Sequence, residues 1–295
     1  MSLPRERTAI ITGADGQLGL ELQASAPKGW RVVACGSDAL DVTDEAVTRY
    51  VFQRERPSFV INAAAYTGVD AAESDSERAA AVNTRGAANV ARVAREGGVR
   101  MVHVSTDFVF DGRQGRPYAP DDPTNPLGVY GRTKLEGERE VLRISEGSAL
   151  VVRTAWVYSA HRKNFVLNML RLMWEKESVG VVSDQVSSPT WARGLAEALW
   201  QGADDARMRG VHHWTDAGVA SWYDFAVAIQ EEALALGMLD RAVPVRPIMT
   251  ADYPTAAVRP PYSVLDKTAT WAALGRPAPH WRENLRLMLQ GMPRG

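Results

Sequence analysis

The sequence predicts an α/β protein, a doubly wound parallel sheet followed by a smaller α/β unit. Three observations predict it. Short apolar, β-branched runs alternate with helix-like segments through the first half, the pattern of parallel βαβ units. Those runs are nearly continuous in apolar residues rather than alternating, as strands buried on both faces must be. The first run stops at a glycine-containing turn that opens a helix.

In chain order, Thr8 to Thr12 is the first strand and Gly13 ends it. Leu18, Leu20 and Leu22 begin a helix that closes near Ala26-Pro27. Trp30 to Cys35 is the second strand, Asp44 to Arg56 a helix, and Phe59 to Asn62 the third strand. Glu77 to Glu96 is Ala-rich with few breakers and predicts one long helix. Met101 to Ser105 is the fourth strand, Tyr130 to Leu142 a helix, and Ala149 to Arg153 the fifth strand. Beyond it the alternation weakens. Helices are expected at Asn164 to Trp174, Trp191 to Leu199 and Ser221 to Leu236, the last with Trp222, Phe225 and Ile229 on one side. The composition shift near Arg153-Thr154 divides the chain into a nucleotide-binding unit, 1–155, and a mainly substrate-binding unit, 156–295. Some later segments are expected to return to the first sheet.

At 295 residues the chain suits a nucleotide-binding domain with a smaller partner, or one large α/β unit. Its 45% apolar and 23% charged residues are those of an ordinary globular protein. A net charge of −1 offers no broad basic surface for nucleic acid or anionic lipid. Cys35 is the only cysteine, so an internal disulfide and a cysteine-rich metal site are excluded, and its thiol reads as packing. No cluster of side chains suggests a metal. The first seven residues are polar, and no stretch approaches the ~20 apolar residues of a spanning helix. A cytoplasmic location is expected.

Gly13-Ala14-Asp15-Gly16-Gln17-Leu18-Gly19 reads G-x-x-G-x-x-G. Glycines after a strand and before a helix permit positive φ and let backbone amides approach a pyrophosphate at the helix's positive end. A plain tight βα turn is the alternative. The dinucleotide fingerprint also expects an acid about 20 residues on to grip the ribose hydroxyl. Cys35-Gly36-Ser37 stands there, and the first carboxylate is Asp38. The missing acid leaves room for a 2′-phosphate. NADPH is therefore the expected cofactor, with NADH still open because no arginine adjoins. Asp41-Val42 follows within reach of an adenine edge, although Asp41 reads equally as a cap or turn residue.

Tyr130 and Lys134 are four residues apart and share a helix face. An ammonium beside a phenol lowers the phenol's pKa from its reference of ~10. Such a tyrosine can give a proton to a carbonyl oxygen as hydride reaches carbon. The spacing alone describes many solvated helix faces. Its neighbours sharpen it, because Ser105-Thr106-Asp107 ends the fourth strand, where parallel sheets bind ligands. Asn62-Ala63-Ala64-Ala65 ends the third strand in small residues that admit a cofactor or pack a helix closely.

With these residues assembled, the chain resembles the extended short-chain dehydrogenase/reductases, a Rossmann-like superfamily, and within it the dTDP-4-dehydrorhamnose reductases. The resemblance runs nearly end to end. It is carried by Gly13 to Gly19, Ile61 to Asp70, Ala72-Glu73-Ser74 and Asn83, then by His103 to Phe110, Pro126 to Gly131 with Lys134, and Arg153 to Tyr158. Asn164-Phe165, Asp184-Gln185, Pro189-Thr190, Tyr253-Pro254-Thr255 and Arg259-Pro260 continue it. It implies hydride transfer from NADPH or NADH to C4 of dTDP-4-dehydro-L-rhamnose. It further implies Tyr130 as proton donor, Lys134 as its partner and Thr106 at the carbonyl, with Thr106, Asp107 and Trp156 touching the sugar nucleotide. Gly16, Gln17, Leu18, Asp41, Val42, Ala65, Tyr66 and Thr67 would line the cofactor. Asn164 and Arg259 are further substrate candidates, Arg259 equally a surface ion-pair partner. A homodimer is the implied assembly. Dehydratases of this superfamily carry Thr-Asp-Glu, whereas Phe108 follows Asp107 here. A reductase of another dTDP-4-keto-deoxysugar would share every motif. A non-catalytic NADP-binding regulator is the reading from another class, and the joint presence of Thr106, Tyr130 and Lys134 argues against it.

Overall fold

A computed structural model describes residues 7–292. Residues 1–6, most of the polar segment read above for targeting, lie outside the described residues. In chain order the first half comprises β1 (Arg7–Thr12), α1 (Gln17–Ala24), β2 (Trp30–Cys35), α2 (Glu45–Glu55) and β3 (Phe59–Asn62). Next come α3 (Val69–Ser74), α4 (Ser76–Ala80), a π-helical segment (Ala81–Gly86), α5 (Ala87–Glu96), β4 (Arg100–Thr106), α6 (Val129–Ile144) and β5 (Leu150–Thr154). The second half comprises β6 (Val157–Tyr158), α7 (Phe165–Glu175), β7 (Val179–Val182), β8 (Val186–Ser187), β9 (Thr190–Trp191) and α8 (Ala192–Asp204). It ends with β10 (Gly210–His213), β11 (Ala220–Ser221), α9 (Trp222–Ala235), β12 (Val245–Ile248), α10 (Thr268–Leu274) and α11 (Trp281–Gln290).

The main sheet has the order β10-β5-β4-β3-β1-β2, with every pairing parallel. The apolar strands are explained by a period of two between opposite faces. Ile11, Ile61, Val102 and Leu150 face one core with Leu195, Leu199 and Trp200 of α8. Their neighbours Ile10, Val60, Met101 and Val151 face a second core with Val90 of α5 and Val141 of α6. Burial on both sides leaves no solvent face to mark with polar residues. The α/β Rossmann-like fold read from the sequence is the fold observed.

Chain order and packing diverge after β5. β10 joins the edge of the sheet beside β5, and Trp200 of α8 donates its indole N–H to the Leu22 carbonyl at 3.0 Å. A third core gathers Tyr158, Val166, Met169, Phe225, Ile229, Trp281 and Leu285 around α7, α9 and α11. The small sheets β11-β8, β12-β7 and β6-β9 surround it.

One expected element differs. The helix expected over Glu77 to Glu96 is α4 and α5 joined through a π-helical turn, preceded by the unexpected α3. The π turn carries Asn83, whose side chain accepts from Tyr66 N at 2.8 Å and donates to the Thr133 hydroxyl at 3.1 Å. Gly137 of α6 packs onto the Asn83 backbone so tightly that any Cβ would collide with it. The extra residue of the π turn thus lets one asparagine bridge the β3 loop and α6.

Candidate active site

β1 pairs with β2 on one side and β3 on the other, so the strand order reverses there and a crevice opens beyond the strand carboxyl ends. The crevice has a volume of about 1200 Å³. Fifteen predicted site residues line it: Gly13, Gly16, Gln17, Leu18, Asp41, Val42, Ala65, Tyr66, Thr67, Thr106, Asp107, Tyr130, Lys134, Trp156 and Arg259. Asn164 does not line it. Its side chain accepts from Leu167 N at 3.1 Å and donates to the Ser159 carbonyl at 2.8 Å, so it caps α7.

At the β1 end, Gly13 has φ of +65°, and a Cβ there would come 2.7 Å from Ala64 N. Only glycine lets the turn lie against the β3 loop this way. Gly16 caps α1 without any side-chain hydrogen bond, and the first turn holds no acid. The positive helix end is therefore left for an anion. Ser105 and Thr154 also line the crevice, and their buried hydroxyls lack a partner among the described residues. The small walls, the open helix end and these orphaned hydroxyls fit a bound dinucleotide. Asp41 Oδ1 accepts from the Thr43 N–H at 2.9 Å and hydroxyl at 2.8 Å, so it is a turn residue on the crevice wall.

At the β4 end, α6 begins where Val129 N donates to Glu73 Oε1 of α3 at 2.8 Å. Gly131 meets the Phe108 carbonyl with no room for a Cβ, and the Phe108 and Tyr130 rings pack edge to face with centroids 5.6 Å apart. These contacts seat Tyr130 beside Thr106. Burial pushes the Tyr130 phenol up to about 12; the Thr106 hydroxyl opposes the shift and the Asp107 charge adds to it. The expected lowering by Lys134 is absent. Lys134 Nζ instead donates to the Val104 carbonyl at 2.6 Å. Burial depresses the ammonium to about 8 against the opposing pull of Glu138. The Thr106 hydroxyl donates to Asp107 Oδ1 at 3.1 Å and accepts from Phe108 N at 3.2 Å. Asp107 is pushed up to about 6 by burial, with Ser263 donating to its Oδ2 and Thr106 to its Oδ1 in opposition.

On the far wall, Trp156 has a φ of +46°, an uncommon conformation for a bulky residue. Its ring stacks on Trp222 at 3.4 Å and 8°. Arg259 lines the crevice and also pairs with Asp70 at 2.7 Å. Asn83, Glu73, Ser263 and Trp222 were absent from the expected site. Each acts through a partner far away in the chain, and only Asn83 and Glu73 had a signal, as single residues of the family resemblance.

The sequence matches the family model described as RmlD substrate binding domain over residues 7–293. It is 40% identical to a dTDP-4-dehydrorhamnose reductase of Aggregatibacter actinomycetemcomitans, over 94% of this chain and 96% of that one. It is also 40% identical to a dTDP-4-keto-6-deoxy-D-glucose reductase of Streptomyces niveus, over 92% and 93%. The fold superposes on a dTDP-4-dehydrorhamnose reductase of Bacillus anthracis solved in complex with NADP. The TM-score is 0.91 at 33% identity, covering 97% of this chain and 99% of that one.

Proposed function

The chain belongs to the dTDP-4-dehydrorhamnose reductase family, and from that premise we propose that it reduces the C4 keto group of dTDP-4-dehydro-L-rhamnose to give dTDP-L-rhamnose. The observation that carries this reading is the meeting of Tyr130, Lys134 and Thr106 in the same crevice as the open N-terminus of α1. NADPH or NADH, when bound, supplies the hydride to C4. Tyr130 gives its proton to the C4 oxygen. A phenol held at about 12 is fully protonated at neutral pH and ready to donate. Lys134, the partner of Tyr130 on the shared helix face, is anchored on the Val104 carbonyl and would hold the nicotinamide ribose. Thr106, oriented by Asp107 and Phe108 N, holds the substrate oxygen alongside Tyr130. Gly13, Gly16, Gln17 and Leu18 hold the pyrophosphate. Asp41, Val42, Ala65, Tyr66 and Thr67 line the rest of the cofactor. Asp107, Trp156 and Arg259 contact the sugar nucleotide.

In the same reading the enzyme acts in the cytoplasm as a homodimer, with residues 1–155 serving mainly the cofactor and 156–295 mainly the substrate. Among the described residues no helix is long and apolar enough to cross a membrane. Likeness to the Streptomyces niveus reductase favours one second reading, reduction of a different dTDP-4-keto-deoxysugar at the same site. A panel of dTDP-4-keto sugars with NADPH and NADH, each product identified by NMR, separates the two. The first reading expects fastest turnover of the rhamnose precursor. Faster turnover of another sugar would favour the second, and no turnover of any would overturn both.

A further inference from the structure

The geometry points to Asp15 as the residue that selects between NADH and NADPH, in favour of NADH. The inference rests on a nicotinamide dinucleotide occupying the crevice. In the chain, the acid expected at the end of β2 is missing and Gly36 stands there. In space, a carboxylate is present. A Cβ built on Gly36 would come 2.8 Å from Asp15 Cγ and closer still to its Oδ2, so the Asp15 carboxylate lies directly over the Gly36 Cα. Gly36 is therefore more than a permissive turn residue, because its missing side chain is the space that the Asp15 carboxylate fills.

The backbone that carries Asp15 is held from three directions, while its side chain is exposed. Ala14 N donates to the Cys35 carbonyl at 3.1 Å, which ties the glycine turn to the end of β2. Gly16 N donates to the Gly13 carbonyl at 3.0 Å and closes the turn. From the second half of the chain, Arg162 Nε donates to the Asp15 carbonyl at 2.8 Å. Asp15, Gly36, Ser37 and Asp41 all line the crevice at this end. A carboxylate over the end of the second strand accepts hydrogen bonds from a ribose diol and repels a 2′-phosphate. Arg162 is the neighbouring cation on the crevice wall, and its Nε is engaged on the Asp15 backbone.

The test uses the whole protein and two fragments that differ only in the 2′-phosphate, ADP and 2′,5′-ADP, titrated calorimetrically. The wild-type protein is expected to bind ADP about tenfold more tightly, the scale of one like-charge contact near a protein surface. Asp15→Asn should weaken ADP and strengthen 2′,5′-ADP. A merely structural role would weaken both together, and that outcome would overturn the proposal. So would a wild-type preference for 2′,5′-ADP, above all one abolished by Arg162→Ala, which would assign the site to a phosphate. Failure of both fragments to bind would instead remove the dinucleotide reading, and this inference with it. In steady-state assays the NADH-to-NADPH ratio of kcat/KM should fall in Asp15→Asn alongside the binding ratio.

Discussion

At the scale of single residues, the proposed catalysis rests on two groups that burial moves in opposite directions. Tyr130 is held near 12 and Lys134 near 8. Tyr130→Phe should lower kcat by about 10²–10⁴-fold, the usual loss of a positioned proton donor, while a fluorescence titration finds cofactor affinity nearly unchanged. The pH profile follows from the same pair. Tyr130 keeps its proton throughout the working range, whereas Lys134 loses its charge as pH rises through about 8. The reductive rate should therefore be level between about pH 6, where Asp107 titrates, and about 8 and fall above it, and a wild-type rate that stayed level up to pH 9.5 or so would remove Lys134 from the account. Lys134→Met should slow turnover and weaken cofactor binding without lowering Tm, since it deletes a buried cation. The pairing of Tyr130 with Lys134 was legible because helical spacing is a local property. Their pKa values were not legible, because both are set first by burial and, for Tyr130, by Thr106 and Asp107, which the fold brings up from another element.

At the scale of elements, α6 is the part that must be aimed. Its first turn is fixed by Glu73 of α3, and its flank by Asn83 of the π turn through Thr133. Glu73→Ala removes the acceptor for Val129 N and should cost about 1 kcal/mol, as loss of a helix cap does. Asn83→Ala should cost about 1–3 kcal/mol by leaving Tyr66 N unsatisfied, and should raise the KM for cofactor more than that for sugar, because Tyr66 lines the crevice. Thermal melts and paired KM measurements check both. Neither device was legible as geometry, although both residues stand in the family resemblance. An Ala-rich run reads as one helix whether or not a π turn interrupts it, and α3 has only six residues. The first five strands were legible almost to the residue, because a sheet buried on both faces writes itself as unbroken apolar runs.

At the scale of the whole molecule, the two halves of the chain are interlocked, with β10 paired to β5 and Trp214 N donating to the Arg153 carbonyl at 2.9 Å. Arg153 of β5 pairs with Glu138 of α6 in the core, Nε to Oε2 at 3.0 Å, and also donates to the Pro120 carbonyl at 3.0 Å. Arg153→Met would strand a buried Glu138 and should cost about 3–5 kcal/mol in chemical denaturation, with much of the loss recovered by adding Glu138→Leu. The return of β10 and α8 to the first sheet was anticipated only in general terms, since Gly210-Val211-His212-His213 carries no apolar run. The stacked Trp156 and Trp222 lie 66 positions apart and had no common signal. The central claim, that Tyr130 protonates the C4 oxygen of a dTDP-4-keto sugar during hydride transfer, is tested most directly by single-turnover kinetics. Wild-type protein and Tyr130→Phe, each preloaded with NADH or NADPH, are mixed with dTDP-4-dehydro-L-rhamnose and followed at the reduced-nicotinamide absorbance band. The account predicts rapid loss of that absorbance in the wild type and loss at least about a hundredfold slower in the variant, with equal cofactor loading. Equal rates in the two proteins would contradict it.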